Sequence, residues 1–534
     1  MDQSREFELK LDVDPATTRG LRERLLRRIN GGVRETLTSI YFDSKNLSLK
    51  KKGLSLRVRI QGDRRIQTLK GSSKGGAGLF DRLEWNAEVK EDKPDLSGIE
   101  HTPFHSVLSP KRLRGRLKPV FTTEMDRTTW NIRSDEAEIE LSLDEGRVVA
   151  DGRTEAVAEL ELELKSGMRS ELFKLARSLS PAVAFKIGVL TKAERGYALV
   201  TGSAPSSFKA GPLALEPTMT ASDAFGLIVR ACIRHFRLNE RLLIETRSAE
   251  SLHQSRVALR RLRSALSLFK DIVEDREIGK LKGGLRRIWQ RLGEARDLDV
   301  FLADLKGRCA RAETDEEGAE LIKRLQKDRD QAYDRVAAAL QERRFRRLML
   351  DLLAWSEAGP WLSADDPRRQ ARRNEPLESF AAEVLAQRRR KVRRRGRNLD
   401  KLDAPTQHQV RIEAKKLRYA TEFFSALATT NKARRRHATF LKTLEGLQEH
   451  LGRLNDLVTG DKMAKQQPQQ AMPSVDVSDA PGAAGGQIPE ESREIKKSLA
   501  AASGAFREFV KAKPFWRAAT IVDQDASSKK ASSR

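Results

Sequence analysis

The sequence is poor in the residues that mark several common classes of protein. Its 534 residues include two cysteines and 6% aromatic residues. Cys232 and Cys309 lack metal-ligand spacing, which argues against a disulfide framework or a zinc site and fits a reducing compartment. Few aromatic residues and no standard recognition motif argue against specific nucleic-acid binding. With no run of about 18 apolar residues and no apolar signal core, we expect a cytoplasmic protein without a membrane partner.

Positive charge is abundant and unevenly distributed. The chain has 102 Lys and Arg against 76 Asp and Glu, a formal net charge of +26. Residues 1–200 carry a net charge of +6 and the remainder +20. An excess of this size favours a polyanionic partner or an anionic membrane surface. We therefore expect polyanion binding mainly in the C-terminal part of the chain.

The period of the apolar residues divides the chain into two parts. From residue 1 to about 200 they recur at every second position, which predicts β-strands. In "GLSLRVRI", which ends at Ile60, Arg57 and Arg59 share one face and four apolar residues share the other. Helical patterns interrupt the strands near 17–30 and 169–180, and the Gly- and Ser-rich segment 71–80 predicts a flexible loop.

A segment rich in Pro, Ser and Gly at 201–212 marks the boundary, and beyond it the apolar period becomes 3.6, which predicts helices. The low-complexity composition of 465–489 predicts disorder, as does that of the C-terminal tail. The predicted organisation is a strand-rich domain at 1–203, a linker at 204–218, a helical domain at 219–516 with an insert at 465–489, and a tail at 517–534.

The helical half repeats itself. "HQSRVALRRLR" (253–263) and "HQVRIEAKKLR" (408–418) match at His, Gln, Arg and the closing Leu-Arg. In both copies the basic positions fall at i, i+3, i+7 and i+10, which is one face of a helix. About 40 residues later "LGEARDLD" and "LGRLNDL" form a second, weaker match. We infer two similar helical units that pack together as a bundle.

Alternating carboxylates mark three strands of the first half, "EFELKLDV", "LSLDEG" and "ELELELK". Neighbours at i and i+2 lie about 6–7 Å apart and repel by about 2 kcal/mol at an effective dielectric of 20. A single such strand is well explained by a solvated face. Three acidic strands, accompanied by basic ones, instead favour a barrel with its charged face inward. Hard divalent cations would then offset the acidic repulsion, and the bases would hold a polyanion.

An ordered set of motifs across residues 1–200 resembles the CYTH, or triphosphate tunnel metalloenzyme, family. The set consists of Glu-x-Glu-x-Lys at 6–10, "YFDS", Arg-x-Arg at 57–59, Lys70, "FTTEMDRTTW", "LSLDEG", "AELELELKSG" and "LTKAERGYAL". "GLFDRLEWN" and the last two motifs are most similar to the bacterial inorganic triphosphatases of that family. The resemblance implies an eight-stranded antiparallel tunnel with flanking helices that binds triphosphate together with Mg²⁺ or Mn²⁺.

The resemblance also implies a set of site residues. The matching metal-binding carboxylates are Glu6, Glu8, Asp144, Glu159, Glu161 and Glu163, and which two of the last three bind metal is left open. The matching phosphate-binding residues are Lys10, Arg57, Arg59, Lys70, Arg127 and Lys192, with Arg82 and Lys186 as candidates that suit a surface or structural role equally well. Tyr41 suits either the core or the site. The implied catalytic residues are Lys70 and a carboxylate, Glu159 or Glu161, that accepts a proton from water.

The two helical copies resemble the CHAD domain, over about 219–516, a family linked to inorganic polyphosphate binding. The residues that match by motif are His253, Arg256, Arg260, Arg263, His408, Arg411, Lys415 and Arg418. The two histidines fit either polyphosphate donors or hydrogen-bonded core groups. Arg296 and the basic run 388–397 are further candidates.

These patterns predict an α+β domain followed by an all-α domain, and the resemblances imply an enzyme that hydrolyses inorganic triphosphate to diphosphate and phosphate. The absence of a Gly-rich phosphate loop and of a cysteine nucleophile leaves a P-loop or covalent route unsupported. Thiamine triphosphatase and class IV-type adenylate cyclase activities use the same kind of tunnel and are alternatives. A polyphosphate-binding protein with little turnover is another. A nucleic-acid binder has the required charge but lacks the motifs.

Overall fold

The computed structural model describes residues 2–71, 76–102, 104–105, 113, 115–181, 183–202, 206–309, 316–466 and 488–516. Most of the predicted insert and the whole predicted tail lie outside these residues, as does part of the predicted loop at 71–80.

The first 200 residues are rich in strands, as their period of two predicts. Nine strands are described, β1 Asp2–Val13, β2 Val33–Asp43, β3 Ser55–Gln61, β4 Arg64–Lys70, β5 Leu79–Glu88, β6 Lys118–Arg133, β7 Ala137–Ala150, β8 Arg153–Gly167 and β9 Phe185–Ile187.

Strands β1 to β8 close into an antiparallel barrel. The hydrogen-bonded order is β5-β4-β3-β2-β6-β7-β8-β1, and β1 also pairs with β5, which closes the circle. The short strand β9 pairs with the end of β1 outside this circle. Closure leaves the eight strands without a free edge, so their backbone groups are satisfied within the sheet. The predicted eight-stranded antiparallel barrel is confirmed.

The strand register brings the charged positions to one side of the barrel wall. Directly paired residues point to the same face of a sheet. Lys10 pairs with Glu161, Arg127 with Asp144, and Asp144 with Glu159. The intervening apolar positions, among them Leu9, Leu141 and Leu160, are fully buried on the other face. The charged face therefore points into the barrel, as the alternating sequence predicts.

Two apolar clusters hold the barrel in place. Phe42, Leu56, Val58 and Trp85 occupy outward positions of β2 to β5. They form one cluster with Leu49, Leu96 and Ile99. Inward positions of β2, β6, β7 and β8 form a second cluster, in which Phe121 stacks on Tyr41 with ring centroids 4.4 Å apart. The second cluster fills part of the barrel interior, and the charged residues occupy the rest.

The remainder of the described chain is helical. The helices are α1 Thr18–Arg28, α2 Ser48–Lys51, α3 Arg169–Leu179, α4 Lys192–Thr201, α5 Ala221–Thr246, α6 Ala249–Leu268, α7 Lys270–Val273, α8 Ile278–Cys309, α9 Glu316–Gln341, α10 Arg343–Ala358, α11 Pro367–Asn374, α12 Leu377–Arg395, α13 Ala404–Phe423, α14 Asn431–Gln466 and α15 Ile488–Lys511. The two predicted helices of the first half are confirmed as α1 and α3. Within the described residues, no helix has the length and apolar character to cross a membrane.

The chain divides into two compact units whose limits differ from the predicted domain limits. The first unit contains Met1–Ala214, Phe225–Arg263 and Asp271–Asp365, and the second contains Leu215–Ala224, Ser264–Lys270 and the chain from Asp366 onward. The barrel thus shares a compact unit with the first part of the helical region. The second unit has its own aromatic core, in which Phe269 stacks on Phe380 with ring centroids 4.8 Å apart.

Gly146 on β7 is required by the close approach of β6. A Cβ at this position would overlap the backbone carbonyl of Glu124. We expect Gly146→Ala to lower the free energy of unfolding by about 1–3 kcal/mol, because the two strands must separate to admit the methyl group. Thermal unfolding of the full chain measures the effect.

Gly20→Ala is the matched control. Gly20 lies in α1, and an added Cβ there has no neighbour within 4 Å. The change should raise the free energy of unfolding by about 0.5–1 kcal/mol, since glycine weakens a helix interior. Equal midpoints for the wild type and Gly146→Ala would contradict the close strand contact.

Candidate functional site

The barrel interior contains a cavity of about 590 Å³ with a charged wall. Most of the predicted tunnel residues line it, namely Glu6, Glu8, Lys10, Arg57, Arg59, Lys70, Arg82, Arg127, Glu161, Glu163 and Lys192. Asp144 and Glu159 lie directly behind this wall and are fully buried. Lys186 does not line it, because it lies on β9 outside the barrel circle, where it forms a salt bridge of 3.3 Å to Glu240.

Three carboxylates converge at one place in the wall. Asp144, Glu159 and Glu161 each offer one oxygen, and these oxygens lie within 4.8 Å of one another. Among the described residues this is the one group of three acidic, His or Cys side chains whose ligand atoms come this close. Glu163 lines the cavity but pairs instead with Lys165 at 2.8 Å. The geometry thus singles out Glu159 and Glu161 from the three candidates on β8.

Buried cations compensate this carboxylate cluster. Lys10 Nζ donates to Glu159 at 2.8 Å and also contacts Glu161. Lys192 Nζ lies 2.6 Å from Asp144 and 3.0 Å from Glu161, and it contacts Glu159 as well. Arg127 donates to both oxygens of Asp144 at 2.6 Å. Each carboxylate therefore has at least one charged partner.

These pairs fix the ionisation states of the cluster. Burial opposes ionisation of Asp144, but Arg127 and Lys192 outweigh it and hold its pKa below the usual range. The pKa of Glu161 is likewise well below its ordinary value, since Lys10, Lys192 and Arg127 outweigh burial. The pKa of Lys192 is raised, because these carboxylates outweigh the effect of burial. Asp144 and Glu161 are therefore ionised at neutral pH.

A second charged group spans β1, β5 and β4, which are consecutive in the barrel. Lys70 Nζ lies 2.7 Å from Glu6 and 2.8 Å from Glu84, and Arg82 donates to Glu6 at 2.8 Å and to Glu8 at 2.9 Å. Burial opposes ionisation of Glu6, but Lys70 and Arg82 lower its pKa. Burial and then the neighbouring Glu6 raise the pKa of Glu8 to about 7. Arg82, left open by the sequence, thus lies in the site.

Sequence reasoning missed Glu84. It has the inward parity of Arg82, two residues earlier on β5, and this parity could have identified it.

Tyr41, for which the sequence left the core and the site open, lies at the boundary of the two. It is buried against Phe121 and also lines the cavity. Its hydroxyl hydrogen-bonds with Arg57, one of the interactions that lower the pKa of Tyr41 against the opposing effect of burial.

The wall formed by β3 carries uncompensated positive charge. Burial and the neighbouring guanidiniums of Arg57 and Arg127 lower the pKa of Arg59 to about 9. No salt bridge joins Arg59 to a described residue, and its buried Nε has no hydrogen-bond partner among them. Arginine stays protonated at neutral pH, so this buried charge remains unfavourable until an anion approaches it.

The carboxylate cluster suits a hard divalent cation. Mg²⁺ and Mn²⁺ prefer carboxylate oxygens, and Mg²⁺ is commonly held by one or two carboxylates together with substrate phosphates. The three convergent oxygens supply such ligands. The second oxygen of Glu159 is buried without a hydrogen-bond partner among the described residues, so it too is available. The residues therefore fit the cofactor that the sequence predicts.

In the helical region, the first copy of the repeat forms a basic cluster on α6. The guanidiniums of Arg256, Arg260 and Arg263 lie 4.5, 5.9 and 5.4 Å from the ring centroid of Trp289 on α8. Burial, then Arg296, and also Arg260 and Arg256 lower the pKa of His253. Buried nitrogens of Arg256 and Arg260 have no hydrogen-bond partner among the described residues. The predicted face is present, and its arginines stack on one aromatic ring.

The second copy, on α13, is more compensated. Arg418 forms a salt bridge of 3.0 Å to Glu422, although its Nε and that of Arg411 lack a hydrogen-bond partner among the described residues. His408 and Lys415 follow on the same helix face by their spacing. The buried Glu413 is surrounded by cations at 3.1 to 3.6 Å, namely Arg388, Lys391, Arg395 and Lys416. Part of the basic run 388–397 is therefore paired with this carboxylate.

Comparison with known families agrees with this division. Residues 4–197 match the model of the CYTH domain, and residues 227–465 match the model of the CHAD domain. The inorganic triphosphatase of Haemophilus influenzae is 30% identical over 199 residues, which are 36% of this chain and 54% of that protein. The chain therefore spans about half the length of this curated relative.

Solved structures give matches to both parts. The CHAD domain from the plant Ricinus communis is 29% identical, with a TM-score of 0.43, and the match covers 57% of this chain and 97% of that one. A Hippeastrum protein described as having a dominant triphosphatase activity is 17% identical, with a TM-score of 0.29, and the match covers 38% of this chain and 97% of that one.

The unpaired charge of Arg59 leads to a prediction about stability. We expect Arg59→Met to raise the thermal unfolding midpoint of the ligand-free protein, because it removes a buried like-charge contact and keeps the side-chain volume. Added tripolyphosphate should raise the unfolding midpoint of the wild type, because a ligand that binds the folded state stabilises it. Arg59→Met should lose most of this increase, because the variant lacks the guanidinium that is expected to contact the anion.

Arg147→Met is the control, because Arg147 pairs with Glu124 at 2.7 Å on an exposed part of the barrel. It should leave both midpoints within about a degree of the wild type, as expected for an exposed ion pair. A lowered ligand-free midpoint in Arg59→Met would show that the guanidinium is compensated.

Proposed function

Since the chain contains a CYTH domain followed by a CHAD domain, we propose that it is a metal-dependent inorganic triphosphatase with a polyphosphate-binding helical region. The enzyme would hydrolyse a phosphoanhydride bond of tripolyphosphate, giving diphosphate and phosphate. The likeness to the inorganic triphosphatase of Haemophilus influenzae supports this substrate over thiamine triphosphate or ATP.

One observation carries the proposal: Arg59, which forms no salt bridge to a described residue, lines the same cavity that the carboxylate cluster borders. A bound anion would offset the repulsion of Arg59 by Arg57 and Arg127. Asp144, Glu159 and Glu161 suit a divalent cation. A triphosphate and its metal bring both charges at once. Phosphoryl transfer needs mainly positioning and charge neutralisation, which this cavity supplies.

Individual residues receive roles from their positions. A divalent cation at the carboxylate cluster would neutralise phosphate charge and acidify water. Glu161, which lines the cavity, or Glu159 behind it would accept a proton from the attacking water; one oxygen of Glu159 has no hydrogen-bond partner among the described residues. Arg57, Arg59 and Arg127 would hold the phosphates.

The lysines and the remaining carboxylates complete these roles. Lys10, Lys70 and Lys192 line the cavity and would stabilise the negative charge that develops during phosphoryl transfer. Glu6 and Glu8 hold Arg82, and Glu6 also holds Lys70. Glu6 and Glu8 are also candidate metal-binding residues, and they would form a second metal site.

We expect Glu6→Gln, Glu8→Gln and Glu161→Gln each to lower Mg²⁺- or Mn²⁺-dependent phosphate release from tripolyphosphate by about a hundredfold or more. Each change removes a charge that orients the site while keeping the side-chain shape. Phosphate release from tripolyphosphate, thiamine triphosphate and ATP, with and without chelator, measures both activity and substrate choice.

Glu124→Gln is the control, since Glu124 pairs with Arg147 away from the cavity. It should retain wild-type turnover. Unchanged turnover in all three cavity variants at saturating metal would rule out this site. Faster release from ATP or thiamine triphosphate would assign the tunnel to an organic triphosphate.

The helical region is proposed to bind inorganic polyphosphate at the repeated basic faces. Three arginines of α6 converge on Trp289, and Arg256 and Arg260 each have a buried nitrogen without a hydrogen-bond partner among the described residues. Phosphate oxygens are strong acceptors for such guanidiniums. Because the cations are side chains, this binding needs no divalent metal. The region also carries most of the positive charge of the chain.

We expect Arg260→Glu, alone and with Lys415→Glu, to weaken long-chain polyphosphate binding by the full-length protein by about tenfold or more without added metal. The affinity should fall steeply with salt, since several phosphate contacts release counterions together. Titration at several salt concentrations, with duplex DNA of equal phosphate content as competitor, measures this.

Arg19→Glu is the control, because this arginine is 91% exposed on α1 of the barrel. It should bind polyphosphate like the wild type. If the control weakens binding as much as Arg260→Glu, or if DNA competes equally well, the helical region offers only general basic charge.

A further inference from the structure

Helix α5 contacts the segment of the barrel that carries Lys192. Arg234 donates through Nη2 to Glu194 at 2.6 Å and through Nη1 to the carbonyl of Val189. One turn later, Arg237 Nε donates to the carbonyl of Ile187 at 3.1 Å. These contacts lie within the first compact unit. Two arginines of one helix thus hold the backbone between β9 and α4 from outside.

This segment begins the helix that presents Lys192 to the carboxylate cluster. Lys192 is the first residue of α4 and contacts Asp144, Glu159 and Glu161. A cation at a helix N-terminus is opposed by the helix dipole. Its position there is therefore maintained by the tertiary structure and not by helix preference.

Glu194 connects the two sets of contacts. It forms a capping box with Thr191, in which Thr191 N donates to Oε2 of Glu194 at 2.8 Å and Glu194 N donates to the Thr191 hydroxyl at 3.1 Å. Its other oxygen, Oε1, accepts the hydrogen bond from Arg234. One carboxylate thus caps α4 and binds α5 at the same time.

We propose that Arg234 is a positioning residue for the proposed triphosphatase site, which it serves by fixing Glu194, the start of α4 and so Lys192. The inference rests on the proposed function. The planar guanidinium is suited to this role, because its two terminal nitrogens reach the carbonyl of Val189, in the turn before α4, and the carboxylate of Glu194, in the first turn of α4. A lysine would reach one of the two acceptors and hold the turn less firmly.

The test compares Arg234→Gln, Arg234→Lys and Lys192→Gln with their double variants in the full chain. Arg234→Gln should raise KM for tripolyphosphate about tenfold, as expected when a charged hydrogen bond is lost from a binding group. Arg234→Lys should recover part of the loss. In a Lys192→Gln background, Arg234→Gln should change KM by less than about twofold, since both changes then act on one interaction.

Arg177→Gln is the matched control. Arg177 of α3 also joins the barrel to a later helix, through a 2.8 Å salt bridge to Asp351 of α10, and is similarly exposed, at 34% against 28% for Arg234. It should leave KM unchanged. A general loss of folding would lower the active fraction, and hence kcat, without the change in KM or the non-additivity.

The outcomes separate the two hypotheses. Unchanged KM in Arg234→Gln, or additive effects of Arg234→Gln and Lys192→Gln, would overturn the positioning role. If the wild type binds tripolyphosphate with Mg²⁺ but does not hydrolyse it, the proposed function is wrong. The positioning role of Arg234 is then tested by comparing the dissociation constants of the same single and double variants. If the wild type neither binds nor hydrolyses tripolyphosphate, both are overturned.

Discussion

Charge compensation inside a closed barrel is the constraint on which the rest of the site depends. An isolated buried carboxylate or ammonium group is too costly to keep, and removing one partner of a buried pair leaves the other uncompensated. The barrel meets this constraint by facing acidic positions of β1, β7 and β8 with cations such as Lys10 and Arg127. Strands β1 to β8 are each paired on both sides, and their alternating charged positions face the interior of the closed barrel.

Among the described residues, this compensation is incomplete on β3, where neither Arg57 nor Arg59 forms a salt bridge. Arg59 is half-buried in the cavity wall beside two other guanidiniums, and no carboxylate of the described residues pairs with it. Local rules are commonly broken at sites that bind ligands, and the unfavourable contact there becomes favourable when the ligand arrives. The carboxylate cluster, by contrast, already has partners in Lys10 and Lys192. A metal would have to displace or rearrange these cations, so metal and triphosphate are expected to bind together.

Much of the barrel follows from the sequence, because a period of two determines which side chains share a face. The position of a side chain along the barrel does not follow, since it depends on the stagger between strands. Parity alone therefore left Glu159, Glu161 and Glu163 equivalent, whereas the register places the first two beside Asp144 and leaves Glu163 to Lys165. Lys186 has a suitable neighbourhood in sequence but lies on β9, outside the barrel circle. The compact unit shared by barrel and helices depends on long-range contacts such as that of Arg234, which no local pattern indicates.

The two helical copies show how a repeated face can diverge through one residue beneath it. Ala258 in the first copy corresponds to Glu413 in the second. In the first copy the arginines lie near Trp289, and some of their nitrogens have no hydrogen-bond partner among the described residues. In the second copy Glu413 draws in cations from α12 and its own helix. Because a buried carboxylate neutralises part of the surrounding charge, equal motifs need not give equal affinity for polyanions. The first copy is therefore the stronger candidate for binding phosphate chains, although both carry the same pattern of basic residues.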